Sequence, residues 1–188
     1  GEIKMNEKTM FKLTYGLFVL TARQGEKDNG CIINTAGQVT AVPNRISIAV
    51  NKANYTHDMV LATKKFNVSI LSEDAKFSTF QRFGFQSGKD VNKFEGYDQV
   101  KRAENGIYYV TGGTNGYISA TVESTMDLGS HTLFIAAVDD MDVLSDVPPP
   151  TYNYYQSNIK PKPAAPASKT GQTIWRCRIR GYDYEGEE

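Results

Sequence analysis

Two cysteines in 188 residues, Cys31 and Cys177, are too few and too far apart for a disulfide framework. A reducing cytoplasm is therefore the expected compartment. Neither sign of charge dominates, since 21 basic residues stand against 21 acidic ones. That balance leaves no electrostatic footprint for nucleic acid or an anionic membrane surface, and neither is expected as a partner. The apolar runs fall far short of a membrane span, and no charged-then-apolar leader opens the sequence. A Ser-His-Asp set, a paired-carboxylate motif, a glycine-rich phosphate loop and the Cys/His spacing of zinc sites are also missing, so no metal is expected.

What is present is the composition of one packed domain with a short appendage, 40% hydrophobic and 11% aromatic. A short helix is predicted over residues 2–11, followed by a nearly continuous apolar run at 13–21 that predicts a strand buried on both faces. The segment 24–30 predicts a polar turn, with Asn29-Gly30 as the tight hairpin pair. The strand from Cys31 then pairs back antiparallel. Pro43 breaks it, and a new strand starts near Arg45. A helix over 55–65 and a strand over 66–71 follow. Ser72-Glu73-Asp74 offers a cap for a second helix carrying Phe77, Phe80 and Phe83 on one face. Residues 84–94 form a loop, short strands broken by Asn105-Gly106 and Gly112-Gly113 come next, and two longer strands meet at 127–130. Many short strands with a few outer helices predict a mainly β fold, a small β-barrel.

The stretch 29–57 is unusual within this plan. A strand-like run spaces Asn34, Thr35, Gln38 and Thr40 where a half-buried strand normally shows apolar side chains. The alternating Ile46, Ile48 and Val50 run straight into Asn51-Lys52-Ala53-Asn54-Tyr55-Thr56-His57. That places amide, hydroxyl, imidazole and ammonium groups at a helix N-terminus, whose free N–H groups and partial positive charge suit a phosphate. The same residues also fit a polar edge strand followed by an ordinary capped helix.

Pro148-Pro149-Pro150 is expected to end the domain body, and Thr151–Tyr155 is an aromatic cluster that packs on the barrel or meets a partner subunit. The predicted domains are residues 1–158, a Pro/Ala/Lys linker at 159–172 and a separate piece at 173–188.

Four motifs occur in order. They are Gly30-Cys31-Ile32-Ile33-Asn34-Thr35 with Gln38-Val39-Thr40, then Val50-Asn51-Lys52 with Tyr55-Thr56-His57, then Phe83-Gly84-Phe85-Gln86-Ser87-Gly88-Lys89-Asp90, and Gly129-Ser130-His131-Thr132-Leu133-Phe134-Ile135. Together they resemble the flavin reductase-like, FMN-binding split β-barrel family, and within it flavoredoxins and the flavoprotein half of high-molecular-weight rubredoxins. The tail Ile174-Trp175-Arg176-Cys177-Arg178-Ile179-Arg180-Gly181-Tyr182 resembles the opening of a rubredoxin domain. Arg180 stands where the second cysteine belongs, so the four-thiolate iron site is incomplete and no iron is expected.

The resemblance implies a homodimer with one FMN per subunit. Asn34, Thr35, Gln38 and Thr40 would face the isoalloxazine ring, and Asn51, Lys52, Thr56 and His57 would hold the ribityl chain and phosphate. Val39, Tyr55, Phe83 and Ser87 complete the expected cofactor-binding set. His131 matches a histidine beside the nicotinamide site of NADH-using relatives, but Ser130 replaces the acidic residue before it. Without relatives, Lys52 fits a solvated strand-end lysine, and His131 a strand-start histidine bonded to a backbone carbonyl. The expected function is an FMN-containing electron-transfer flavoprotein or reductase, passing electrons between NAD(P)H or a small redox protein such as rubredoxin and a redox partner. An NAD(P)H:flavin oxidoreductase with diffusible flavin, and a non-catalytic flavin-binding barrel, are the alternatives.

Overall fold

The computed structural model describes residues 4–163. Among the described residues of the first segment, a 3-10 helix forms at Glu7–Lys12, capped by Asn6. Strands β1 (Phe18–Gln24) and β2 (Lys27–Ile33) form a hairpin, and β3 (Gly37–Thr40) pairs with β4 (Arg45–Asn51). Helix α1 (Tyr55–Thr63) leads into β5 (Lys65–Leu71), and α2 (Phe77–Gly84) follows. Two short strands, β6 (Val100–Arg102) and β7 (Tyr108–Val110), make a separate ribbon. The long hairpin β8 (Thr114–Asp127) and β9 (His131–Val143) precedes α3 (Tyr152–Tyr154), which runs into a π-turn at Tyr155–Ile159.

The main sheet is antiparallel, in the order β2-β1-β5-β8-β9-β4-β3. One core cluster contains Cys31 and Ile33 of β2, one end of that order, together with Ile46, Ile48 and Val50 of β4, next to the other end. The sheet is therefore curled on itself. Register shifts in β8 at Ser119/Ala120 and Val122/Ser124 supply the bulges that bend a long hairpin. Thr35 fastens the seam: its Oγ1 donates to the Ala49 carbonyl at 2.7 Å and accepts from the Ala49 N–H at 3.2 Å. The result is the mainly β split barrel.

Strand β1 is buried on both faces, as its unbroken apolar run predicts. Leu20 and Ala22 join the barrel interior, while Val19 faces a second cluster with Phe80, Phe83 and Tyr155. The strand begins at Phe18, though, some way past the predicted start at Leu13. The hairpin turn is also not where Asn29-Gly30 predicts it. The register joins Gln24 to Lys27, and Gly25, at φ 61°, takes the left-handed conformation the two-residue turn requires. Asn29 and Gly30 lie inside β2. A Cβ on Gly30 would sit 3.3 Å from the Phe83 ring, so this glycine serves close packing.

Helix α2 is capped by Lys76 backbone with no side-chain bond; Ser72 instead donates to Asp74. The domain body does not end at the prolines. The Pro148 carbonyl accepts from Glu73 N–H, Tyr155 is fully buried against Phe80, and Ile159 packs on the second cluster. The expected rubredoxin-like fragment at 173–188, with Cys177 and no complete iron site, lies outside the described residues.

Candidate functional site

Alternation along β4 buries Ile46, Ile48 and Val50 and brings the strand to its end at Asn51. There the Asn51 side chain accepts from the Ala53 N–H at 2.9 Å, and the Asn51 carbonyl accepts from Asn54 N–H at 3.0 Å. That turn delivers Asn54 as the N-cap of α1, its Oδ1 accepting from Thr56 N–H at 3.1 Å. Antiparallel pairing with β9 sets His131 opposite Asn51, and Lys52 N–H donates to the Ser130 carbonyl at 3.0 Å. Asn51, Lys52, Ser130 and His131 thus meet at one end of the barrel.

A carboxylate joins them. Asp127 Oδ1 lies 2.7 Å from Lys52 Nζ and accepts from Gly129 N–H at 2.8 Å. The lysine, and next the amide, hold its carboxyl below the usual range. Nothing in the spacing singled out Asp127, because its meeting with Lys52 depends on the registers of β9 with both β8 and β4. His131 Nδ1 lies 2.8 Å from the Ser130 hydroxyl, where a backbone carbonyl was the structural expectation. This leaves Nε2 as the ring's other hydrogen-bonding atom.

The first turn of α1 is more interior than its sequence implies. Tyr55 is half-buried, with Lys27 Nζ 4.4 Å from its ring centroid. Thr56 is fully buried, and its hydroxyl accepts from Asn29 Nδ2 at 3.0 Å. His57 is 4% exposed; Nδ1 lies 2.9 Å from Asp58 Oδ1, Nε2 lies 2.7 Å from Thr132 Oγ1, and the ring edge meets Phe134. Both nitrogens bond within the chain, which braces the first turn of α1. Phe83, also in the expected cofactor-binding set, is 1% exposed, and its ring packs on Phe94 and Tyr97.

Ser87 stands in the loop after α2, next to Gly88, which packs on Asn29 of β2. Gly88 is pressed so closely there that an added Cβ would lie 2.1 Å from the Asn29 amide oxygen. Ser87 Oγ accepts from Lys89 N–H at 3.2 Å, which makes a tight polar turn.

Beyond the seam at Thr35, β3 turns its residues outward. Asn34 is buried, Gln38 and Val39 are exposed, and Gln38 Nε2 donates to Asn44 Oδ1 at 3.2 Å. Thr40 Oγ1 donates to the Pro43 carbonyl at 2.6 Å. These residues continue the same surface along β3 and β4 from the Lys52 end. A hollow of about 360 Å³ lies elsewhere, between α2 and the segments that flank the β6–β7 ribbon, lined by Lys76, Thr79, Arg82, Tyr97 and Gln99. The β3–α1 surface has the chemistry, so it is the candidate site.

Its donor set fits a flavin nucleotide. Amides and hydroxyls on β3 suit the ring's polar edge, and a lysine beside a helix N-terminus suits a phosphate. Among the described residues, no group of three His, Cys, Asp or Glu side chains is placed to hold a metal ion, and no helix is long and apolar enough to cross a membrane.

Fold and site together define a flavin-binding split barrel. Residues 10–162 match the family described as flavin reductase like domain. The chain is 38% identical over 193 residues to a high molecular weight rubredoxin from Moorella thermoacetica, covering 96% of this chain and 83% of that protein. It is 34% identical over 158 residues to a ferric-chelate reductase (NAD(P)H) from Archaeoglobus fulgidus, covering 84% of this chain and 93% of that one. The fold resembles flavoredoxin from Methanosarcina acetivorans, with a TM-score of 0.65 at 19% identity over 76% of this chain and 75% of that one. The chain belongs to the flavin reductase-like family and is a flavin-dependent oxidoreductase.

Proposed function

We propose that this protein is an FMN-containing electron-transfer flavoprotein, cytoplasmic and homodimeric, that exchanges electrons with a small redox protein such as rubredoxin. The observation that carries this reading is the meeting of Asn51, Lys52 and His131 on the paired ends of β4 and β9, beside the N-terminus of α1. When bound, the flavin supplies the redox chemistry, taking up and releasing electrons.

The chain's own residues bind and orient it. Lys52 and Asn51 hold the phosphate end, while Thr35, Gln38, Val39 and Thr40 lie along the ring. Asn29 and Thr56 brace α1 from behind, and Ser87 closes the phosphate end from the loop side. His131 Nε2 stands at the edge where a donor would approach. The homodimer is supported by exposed apolar residues on β3, on the turn after it and at the far end of β9. Val39 is 50% exposed, Val42 96%, Met141 55% and Val143 73%, with Asn44 bridging toward Met141. A rubredoxin-like partner is supported by the similarity to a high molecular weight rubredoxin over nearly the whole chain.

A second reading has its own support. The chain covers 93% of a ferric-chelate reductase that its description gives as using NAD(P)H. On that reading this protein oxidises NAD(P)H and passes single electrons to chelated Fe(III).

The test of the site is an affinity comparison. FMN and riboflavin are titrated into wild type and into an Asn51→Ala/Lys52→Ala variant. The proposal expects FMN affinity to fall by about tenfold or more with riboflavin little changed, since only FMN carries the phosphate. Equal loss of both refutes the assignment of the phosphate end. Flavin that stays bound through dialysis marks a prosthetic group and excludes the diffusible-flavin alternative.

A further inference from the structure

Lys93 is 3% exposed and stands in the loop between α2 and β6. Its Nζ donates to the Gly30 carbonyl at 2.7 Å and to the Phe83 carbonyl at 3.0 Å. Phe83 is in the last turn of α2, where carbonyls lack intrahelical partners and carry partial negative charge. Arg82 returns the contact: its Nη1 donates to the Lys93 carbonyl at 2.8 Å and the Glu95 carbonyl at 3.4 Å, and its guanidinium lies over the Tyr97 ring. Two cations therefore clasp the loop to the helix from both sides. Phe94 locks the clasp by packing between Phe83 and Tyr108.

The part of the loop that this clasp holds in place is its apex. Gly88 is buried against Asn29, and Asn29 donates to Thr56 in the first turn of α1. The Cys31 thiol, next to Gly30, senses the same neighbourhood. Burial pushes it up, while the Lys93 ammonium, then Thr56 and Asn54, pull it down. A buried ammonium, the N-cap of α1 and the loop apex thus surround one point of β2.

Burying an ammonium is costly unless its hydrogen bonds are well made, as they are here to the Gly30 and Phe83 carbonyls. An apolar side chain of similar length would leave those carbonyls without this donor and would carry no charge. We infer that Lys93 is a positioning residue for the phosphate end of the cofactor: it fixes the Ser87–Lys89 apex against the first turn of α1 and sets a fixed positive charge behind it. The inference rests on the phosphate reading given above.

The experiment measures FMN and riboflavin affinities of the full chain by flavin fluorescence, with melting temperature alongside. Wild type is compared with Lys93→Met, Lys93→Arg and Gly88→Ala. In Lys93→Met, FMN affinity falls by about tenfold while riboflavin changes by less than about twofold, and Lys93→Arg recovers part of the loss. Gly88→Ala, whose new Cβ displaces the apex from Asn29, shifts the ratio in the same direction. An FMN-to-riboflavin ratio unchanged in Lys93→Met and Gly88→Ala overturns the inference, since a purely structural lysine would weaken both ligands alike. If Lys93→Met does not fold, Gly88→Ala decides on its own. A wild type that binds both ligands equally refutes the phosphate reading itself, and the inference with it.

Discussion

Lys52 Nζ, just past β4, and Asp127 Oδ1, at the end of β8, lie 2.7 Å apart beside the start of β9, which pairs with both strands. Both are exposed side chains, and the lysine is the one assigned to the phosphate. On the proposed reading, a carboxylate and the FMN phosphate compete for one ammonium.

The competition has a sign. Asp127→Asn releases Lys52 and removes a negative charge from the anion site, so FMN binds more tightly and riboflavin is unaffected. Lys52→Ala weakens FMN by about tenfold. Fluorescence titration checks both, and weaker FMN binding by Asp127→Asn would show that Asp127 supports the site.

The same pair predicts a titration. Lys52, and after it the Gly129 N–H, hold the Asp127 carboxyl below its ordinary range. Its contribution to stability is therefore complete above the unfolded carboxyl pKa and lost as pH falls through the lowered one. The pair is solvent-exposed and screened, so the direct readout is NMR of the carboxyl. The midpoint lies below that of a free aspartate and rises in Lys52→Ala.

At alkaline pH the signal comes from Tyr117. Burial, followed by the Asp140 carboxylate 2.9 Å from the hydroxyl, pushes the phenol up to about 12. Its contribution is full below the ordinary tyrosine pKa of about 10 and is lost as pH rises through the folded value. The tyrosinate absorbance difference between wild type and Tyr117→Phe should appear late in the titration, and Asp140→Asn should bring it earlier.

Tyr155 tests where the domain ends. The side chain is fully buried, with its ring 4.5 Å from Phe80. Tyr155→Ala should cost about 3–5 kcal/mol, as large aromatic truncations do. A chemical denaturation midpoint close to wild type would return the aromatic cluster to the surface.

Much of this was legible in the chain because it depends on local pattern. The alternation of Ile46, Ile48 and Val50 announced β4, and the motif order announced the family. What was not legible shares a physical cause, which is that tertiary contacts decide between local options. Asn29-Gly30 has good turn chemistry, yet Gly25 supplies the turn and β2 needs Asn29 inside to brace Thr56. His57 sits in a motif of polar donors, but it begins a helix whose first turn plugs the barrel, so its ring faces Thr132 and Phe134. Asp127 and Lys93 carry no pattern at all. Their partners lie on strands and turns far away in sequence, and only the folded register brings them together.

The claim that this flavin exchanges electrons chiefly with a protein is tested most directly by its rate of reduction. The family resemblance implies an acidic residue in NADH-using members where Ser130 stands here, and hydride transfer needs the nicotinamide stacked at about 3–3.5 Å. A small redox protein needs only access to the ring edge. The measurement is anaerobic stopped-flow reduction of the FMN-loaded protein by NADH, NADPH and reduced rubredoxin in turn. The account predicts slow reduction by both nucleotides and fast reduction by rubredoxin. Rapid, saturable reduction by NADH that is lost in His131→Ala would contradict it and make this protein a nucleotide-driven reductase.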